Sequence, residues 1–170
     1  MFPERMSFPA LIEALSKVDK ASLEEASRLL QRSIRIYLVG NGGSAAIASH
    51  IANDLVKRGR SAMTFTDPPS LTCLVNDLGW NNAYKEALKA QNPSRYDTLI
   101  AISSSGQSQN ILEVVKLADK MRCSIITLSG FGEFNSLRQM GGINFYVQSS
   151  SYGVVELTHL AILHSIVEGL

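Results

Sequence analysis

The chain is predicted to fold as α/β, with a parallel sheet covered by helices on both faces. Three observations predict it. Apolar runs of strand length alternate along the 170 residues with segments of helical periodicity, an order in which helices cross over between parallel strands. Two of those runs end in short glycine- and serine-bearing turns that open a helical pattern. These are Gly40-Asn41-Gly42-Gly43-Ser44 after 36–39 and Ser103-Ser104-Ser105-Gly106-Gln107-Ser108 after 99–102. Hydrophobic residues make up 45% of the chain and charged ones 18%, enough apolar side chain to fill a sizeable core.

Across 8–33 the apolar residues Leu11, Leu15, Val18, Leu23, Ala26, Leu29 and Leu30 recur at helical spacing, interrupted near Asp19, which predicts one or two amphipathic helices. Residues 36–39 read as a buried strand and 44–57 as a helix. A second strand over 62–65 is ended by Asp67-Pro68-Pro69. Ser70 is expected to cap a short helix over 70–75, followed by another over 81–90. Three further strands fall at 98–102, 124–128 and 143–147, with helices at 110–120 and 154–168. No repeat, linker or low-complexity stretch interrupts them. One domain is therefore expected over 1–170, with 1–33 as an N-terminal helical segment and 34–170 as the α/β core.

The formal net charge is +1, without a long basic run, so nucleic acid has no electrostatic footprint here. No run approaches the roughly 20 apolar residues that span a bilayer, and Met1-Phe2-Pro3-Glu4-Arg5 lacks the apolar centre of a signal peptide. Cys73 and Cys123 sit in apolar sequence without paired spacing and read as buried free thiols. The expectation is a soluble, cytoplasmic protein that binds neither membrane nor nucleic acid.

Turns of this kind aim backbone N–H groups, hydroxyls and a helix N-terminus at an anion. Neither holds the lysine of a nucleotide P-loop, so a small phosphorylated molecule fits better than ATP. Ser103, Ser105 and Ser108 offer hydroxyls, and the amides of 106–108 begin a helix. One serine serves as a cap; four in six residues exceed what capping needs. Ligands of parallel sheets gather beyond the carboxyl ends of the strands, so both turns can serve one site. The string from Gly40 also begins like a dinucleotide fingerprint, with Ala45 in third place. Asp67 then falls late and before two prolines, which leaves that reading weak.

His50 and Asp54 are four apart on the helix after the first turn and share a face. On the last helix Glu156 and His159 share a face, whereas Glu156 and His164 are separated by about 12 Å of axial rise. Those two meet on one ligand only by leaning together or by joining residues of another subunit. His159, between Thr158 and Leu160, stands open between a packed core residue and a site residue. His50 and His164, together with the two carboxylates Asp54 and Glu156, read as a polar site.

These residues resemble the sugar isomerase (SIS) domain family and, within it, the phosphoheptose isomerase branch. The Gly-Asn-Gly-Gly-Ser turn of that branch is matched at 40–44. Its Asn-Asp pair before a glycine and an aromatic is matched at Asn76-Asp77-Leu78-Gly79-Trp80. The Ser-x-Ser-Gly-x-Ser phosphate loop is matched at 103–108, and the histidines five apart on the C-terminal helix at His159 and His164. The resemblance covers essentially the whole chain, with a somewhat shorter N-terminal helical segment.

The resemblance implies a three-layer α/β/α sandwich with a five-stranded parallel sheet, flavodoxin-like or Rossmann-like. It implies a homotetramer or dimer with sites at subunit interfaces, to which the N-terminal helices contribute. The family's helix glutamate falls on Asp54, its last-helix histidine on His164 and a glutamine eight residues earlier on Glu156. In some members these positions, with the one matching His50, bind zinc. The implied metal set is therefore His50, Asp54, Glu156 and His164, with no nucleotide cofactor. Asp54 is one methylene shorter than glutamate, and Gly153 replaces a family aspartate. A base placed at Asp54 therefore retreats by more than an ångström unless the backbone compensates.

The expected activity is aldose–ketose isomerisation of a phosphorylated sugar, a heptose 7-phosphate similar to sedoheptulose 7-phosphate, for heptose or surface-polysaccharide precursor synthesis. Asp54 or Glu156 would be the base, and His164 the acid or a metal ligand, around an enediol intermediate. Ser103, Ser105 and Ser108 would hold the phosphate and Asn41, Ser44 and Asp77 the sugar hydroxyls, with Gly42, Gly43 and Ser104 also at the substrate. The alternative is a non-catalytic member that binds a phosphosugar or a partner protein, as relatives that associate with a replication initiator do. The lost helix glutamate favours that alternative; His164 and Glu156 oppose it.

Overall fold

The computed structural model describes residues 5–170. Residues 1–4, which hold most of the stretch read above for a leader and the start of the helical segment, lie outside them. Two helices come first, α1 (Phe8–Ser16) and α2 (Lys20–Arg32). The break between them is the α2 cap, where the Asp19 carboxylate accepts from the Ser22 amide at 2.8 Å. There follow β1 (Ile36–Val39), α3 (Gly43–Lys57), β2 (Ala62–Thr64), α4 (Pro68–Leu78), α5 (Trp80–Ala90) and β3 (Thr98–Ser103). The chain then forms α6 (Gln109–Lys120), β4 (Ser124–Ser129), a 3-10 turn at Leu137–Gln139, β5 (Ile143–Tyr146) and α7 (Tyr152–Glu168).

One boundary corrects the expectation. The cap of α4 is Asp67, not Ser70, and the helix runs longer than 70–75. Proline suits the first turn of a helix, where amides have no partner to lose. Pro68 and Pro69 therefore begin α4, and the Ser70 amide donates to the Asp67 carboxylate at 3.1 Å.

All five strands are parallel, in the order β2-β1-β3-β4-β5. Side chains of the strands alternate between two cores. Ile36, Leu38, Ile100 and Ile102 pack with α2, α3 and α7; Tyr37, Val39, Leu99 and Ala101 pack with α5 and α6. The result is three layers, α/β/α, and the continuous apolar strands are what double cover requires. Outside them α1 lies on α7, with Ala10 and Ala14 against Val154 and Val155. Its other face, Phe8, Ile12 and Leu15, stays exposed.

Strand order decides where a ligand can enter. From β1 the chain departs to the β2 side and from β3 to the β4 side, so the loops after these neighbours diverge and leave a crevice. Their opposite ends are clamped by Arg35, whose guanidinium donates to Asp97 at 2.7 Å. Burial pushes the Asp97 carboxyl up, but hydrogen bonds from Arg35 and Ser94 outweigh it and hold it below the ordinary range.

The cysteines divide. Cys123 is buried, and burial pushes its thiol up to about 11. Cys73 is exposed, contrary to expectation, because α4 buries none of its residues in this chain. Among the described residues no helix is long and apolar enough to cross a membrane.

Candidate active site

Beyond the carboxyl ends of β1 and β3 a cleft of about 280 Å³ opens. The serine loop forms one wall with Ser103, Ser104, Ser105 and Ser108; the first turn forms another with Asn41, Gly42, Gly43 and Ser44. Tyr152 and Glu156, from the first turns of α7, complete it. Eight of the residues that the sequence reading places in the two turns therefore line one cleft, Gly40, Gly106 and Gln107 standing outside it. Asp77 does not line it either: it stands exposed on α4, accepting from Asn76 Nδ2 at 2.9 Å.

The serine hydroxyls have few competing tasks. Ser108 caps α6 by position, yet its hydroxyl makes no cap bond and lies 3.1 Å from Ser103 Oγ. Ser105 Oγ accepts from the Gln107 amide at 3.2 Å. Ser104 Oγ is buried without a partner, a state that proteins avoid unless a ligand or water supplies one. On the opposite wall Asn41 and Asn110 exchange two amide hydrogen bonds, each 2.9 Å. Asn110, buried on α6, was not among the predicted residues, and nothing in its local sequence marks it.

Glu156 enters this cleft as an unpaired carboxylate. It reaches Gly43 so closely that a Cβ there would push its carboxylate aside. Burial raises its pKa above the ordinary carboxylate range. Neither lysine nor arginine lines the cleft.

A second cluster lies further along the same two helices. His50 Nε2 of α3 is 3.2 Å from His164 Nε2 of α7. Asp54 Oδ2 lies 3.4 Å from His50 Nε2 and 3.9 Å from His164 Nδ1. One donor atom from each lies within 4.8 Å of the others. Two imidazoles and a carboxylate suit zinc and leave a fourth position open for water or substrate. Glu156 does not join them, which reduces the four-member metal set of the sequence reading to three in this chain. Eight residues of α7, about 12 Å of rise, separate it from His164.

His159 belongs to neither group. It is fully buried, its Nε2 is 3.1 Å from the Ser129 carbonyl, and burial pushes its pKa down to about 4. It is a packed neutral residue that donates to the end of β4. A larger hollow, about 490 Å³, lies between α1 and β5. Its charged groups are already engaged: Lys17 with Glu13 at 2.7 Å, Asp19 with Ser22, and Arg138 with the Tyr146 ring and the Glu133 carbonyl.

Residues 6–130 match the family model described as the SIS domain. The chain belongs to the SIS domain family. This SIS domain is 35% identical over 161 residues to the phosphoheptose isomerase of Campylobacter concisus, covering 88% of this chain and 84% of that protein. It is 33% identical to the phosphoheptose isomerase of Aliarcobacter butzleri, covering 91% and 82%. Among solved structures, the phosphoheptose isomerase of Neisseria gonorrhoeae superposes with a TM-score of 0.87 at 26% identity, covering 95% of this chain and 93% of that one. The sheet order and layers of this SIS domain therefore agree with the fold implied by the resemblance.

Proposed function

We propose that this SIS domain is an aldose–ketose isomerase of phosphorylated sugars, acting on sedoheptulose 7-phosphate. The observation that carries the reading is the meeting of the glycine turn and the serine loop in one cleft between β1 and β3. The phosphoheptose isomerases among its relatives supply the substrate class.

In this reading Ser103, Ser104, Ser105, Ser108 and the loop amides hold the phosphate. Asn41, Gly42, Gly43 and Ser44 meet the nearer hydroxyls, and Asp77 joins them only if α4 moves or a second subunit brings its own. The sugar then extends along α3 and α7 toward His50, Asp54 and His164. An extended covalent chain advances roughly 1.2 Å per bond, so the seven carbons and ester of a heptose phosphate cover most of the offset between the clusters.

At the far end Asp54 takes a proton from the carbon beside the carbonyl, and His164 protonates the carbonyl oxygen, giving an enediol. Return of the proton to the neighbouring carbon, with loss of one from the other hydroxyl, completes the isomerisation. Glu156, unpaired and with a raised pKa, is the rival base. Its distance from His164 within one chain leaves it better placed to bind hydroxyls near the phosphate. In the metal form of the reading, zinc held by His50, Asp54 and His164 would polarise the carbonyl oxygen in place of protonation by His164, and the base would be Glu156.

We read the whole 1–170 span as one SIS domain and its working form as a dimer or homotetramer. The exposed stripe of Phe8, Ile12 and Leu15 on α1 supports self-association. The relatives and the free thiols favour a cytoplasmic setting. The test is incubation with C5 to C7 ketose phosphates, with and without zinc, followed by NMR of the products. Turnover of sedoheptulose 7-phosphate is expected. Ligand-induced melting shifts with no product under any condition would assign a binding role instead.

A further inference from the structure

The serine loop rests on the segment that follows β4. The Gly130 amide donates to the Ser104 carbonyl at 2.9 Å, and the Leu137 amide to the Gly106 carbonyl at 3.0 Å. Between these two ties lies Asn135, 2% exposed. Its Nδ2 donates toward Ser129 Oγ at 3.2 Å, the Gly130 carbonyl at 3.2 Å and the Gly132 carbonyl at 2.8 Å. Its Oδ1 accepts from the Arg138 amide at 2.9 Å.

The last bond is what a local turn cap makes, and on its own it would leave Asn135 a structural residue. The Nδ2 contacts reach further, to the end of β4 and the loop after it. The side chain also lies directly under the bend of the serine loop. Gly106 has φ 63°, and a Cβ there would overlap the Asn135 amide. Only glycine permits both that conformation and that approach. The height of the bend above β4, and with it the aim of the neighbouring amides and of the Ser105 and Ser108 hydroxyls, is set by this contact.

We propose that Asn135 is a positioning residue for the serine loop, fixing the bend at Gly106 so that the loop's donors converge on the phosphate of the substrate. The proposal rests on the phosphate-loop reading above and assigns Asn135 no chemistry of its own. It acts through the donors that Gly106 separates, so its loss falls on phosphate affinity and not on proton transfer.

The experiment compares wild type, Asn135→Ala, Asn135→Asp and Gly106→Ala for kcat and KM with sedoheptulose 7-phosphate, inhibition by inorganic phosphate, and Tm. Asn135→Ala is expected to raise KM and the phosphate inhibition constant about tenfold, the size of a lost set of neutral hydrogen bonds, with kcat nearly unchanged. Gly106→Ala should be harmful in wild type and less so in the Asn135→Ala background, because the overlaps with the side-chain amide are gone while the φ strain and the close approach of the Cβ at 135 remain. If Asn135→Ala does not fold, Asn135→Asp carries the test. It keeps the size and the acceptor for Arg138 but loses the donors, and it too should raise KM.

A folded variant with unchanged KM and phosphate inhibition, or a fall in kcat alone, overturns the proposal, as does strict additivity with Gly106→Ala. Should wild type turn over no sugar phosphate, the isomerase reading fails. Calorimetric binding of inorganic phosphate to wild type and Asn135→Ala then decides the positioning role separately: weaker binding by the variant upholds it, and equal or undetectable binding in both overturns it.

Discussion

His50 and His164 meet edge to face, their rings at 66° and their Nε2 atoms 3.2 Å apart. Two imidazole nitrogens at that separation require a proton or a cation between them, since facing lone pairs repel. Asp54, 3.4 Å from His50 Nε2, adds a carboxylate that favours a cation there. On the zinc reading the wild-type chain binds one ion, and His50→Ala or His164→Ala lowers affinity by more than the roughly 10- to 100-fold typical of outer-shell partners. Competition against a chromophoric chelator measures it, and variants that hold zinc as tightly as wild type would sink the site.

Ser105→Ala combined with Ser108→Ala removes two hydroxyls from the cleft wall without touching a buried apolar contact. Sugar-phosphate binding should weaken at least about tenfold, the loss expected for hydrogen bonds to a charged acceptor. The helical circular dichroism should be unaltered. Isothermal calorimetry with an unaltered Kd would reject the serine loop as the phosphate site.

Gly43→Ala tests the closeness of α3 and α7. Its methyl group would displace the Glu156 carboxylate, so turnover should fall severalfold or more while Tm moves by only a few degrees. The size follows from the cost of small misplacements at a site. Adding Glu156→Ala should relieve the steric part, leaving the double variant no worse than Glu156→Ala alone. A further loss in the double variant would mean that Gly43 serves the cleft by another route.

His159 makes stability depend on pH. Its pKa falls from 6.5 to about 4 on folding because burial disfavours the charged ring, so between these values the unfolded chain binds more protons than the folded one. Its contribution is intact above pH 6.5 and is lost as pH falls toward 4, by roughly 3 kcal/mol in all. Urea unfolding from pH 7 to pH 4 should show that slope. His159→Gln, which keeps a donor for Ser129 but does not titrate, should flatten it; an equal slope in both would refute the assignment.

Much of this was legible in the residues. The apolar strands and the two turns stand out because a doubly covered strand must be apolar throughout and a strand-to-helix turn needs small residues. His50 and Asp54 were paired by helical spacing alone. What spacing along one helix could not fix was how two helices lie side by side. The parallel run of α3 and α7 places His164 with His50 and Asp54 but Glu156 with Gly43. The cap at Asp67 is hard to see in the sequence because the two prolines that open α4 also end the β2 run. Asn135 lies in a stretch without periodicity, and its importance comes from a contact with Gly106, 29 residues earlier, that no local pattern encodes.

The cleft lined by the serine loop and the first turn contains hydroxyls, amides and one carboxylate, with no fixed positive charge among its lining residues. On the phosphate reading, such a cradle would grip a dianion through short, directed dipoles rather than through long-range attraction. Added salt should therefore slow capture very little, and the enzyme should work almost equally well in dilute and in concentrated electrolyte.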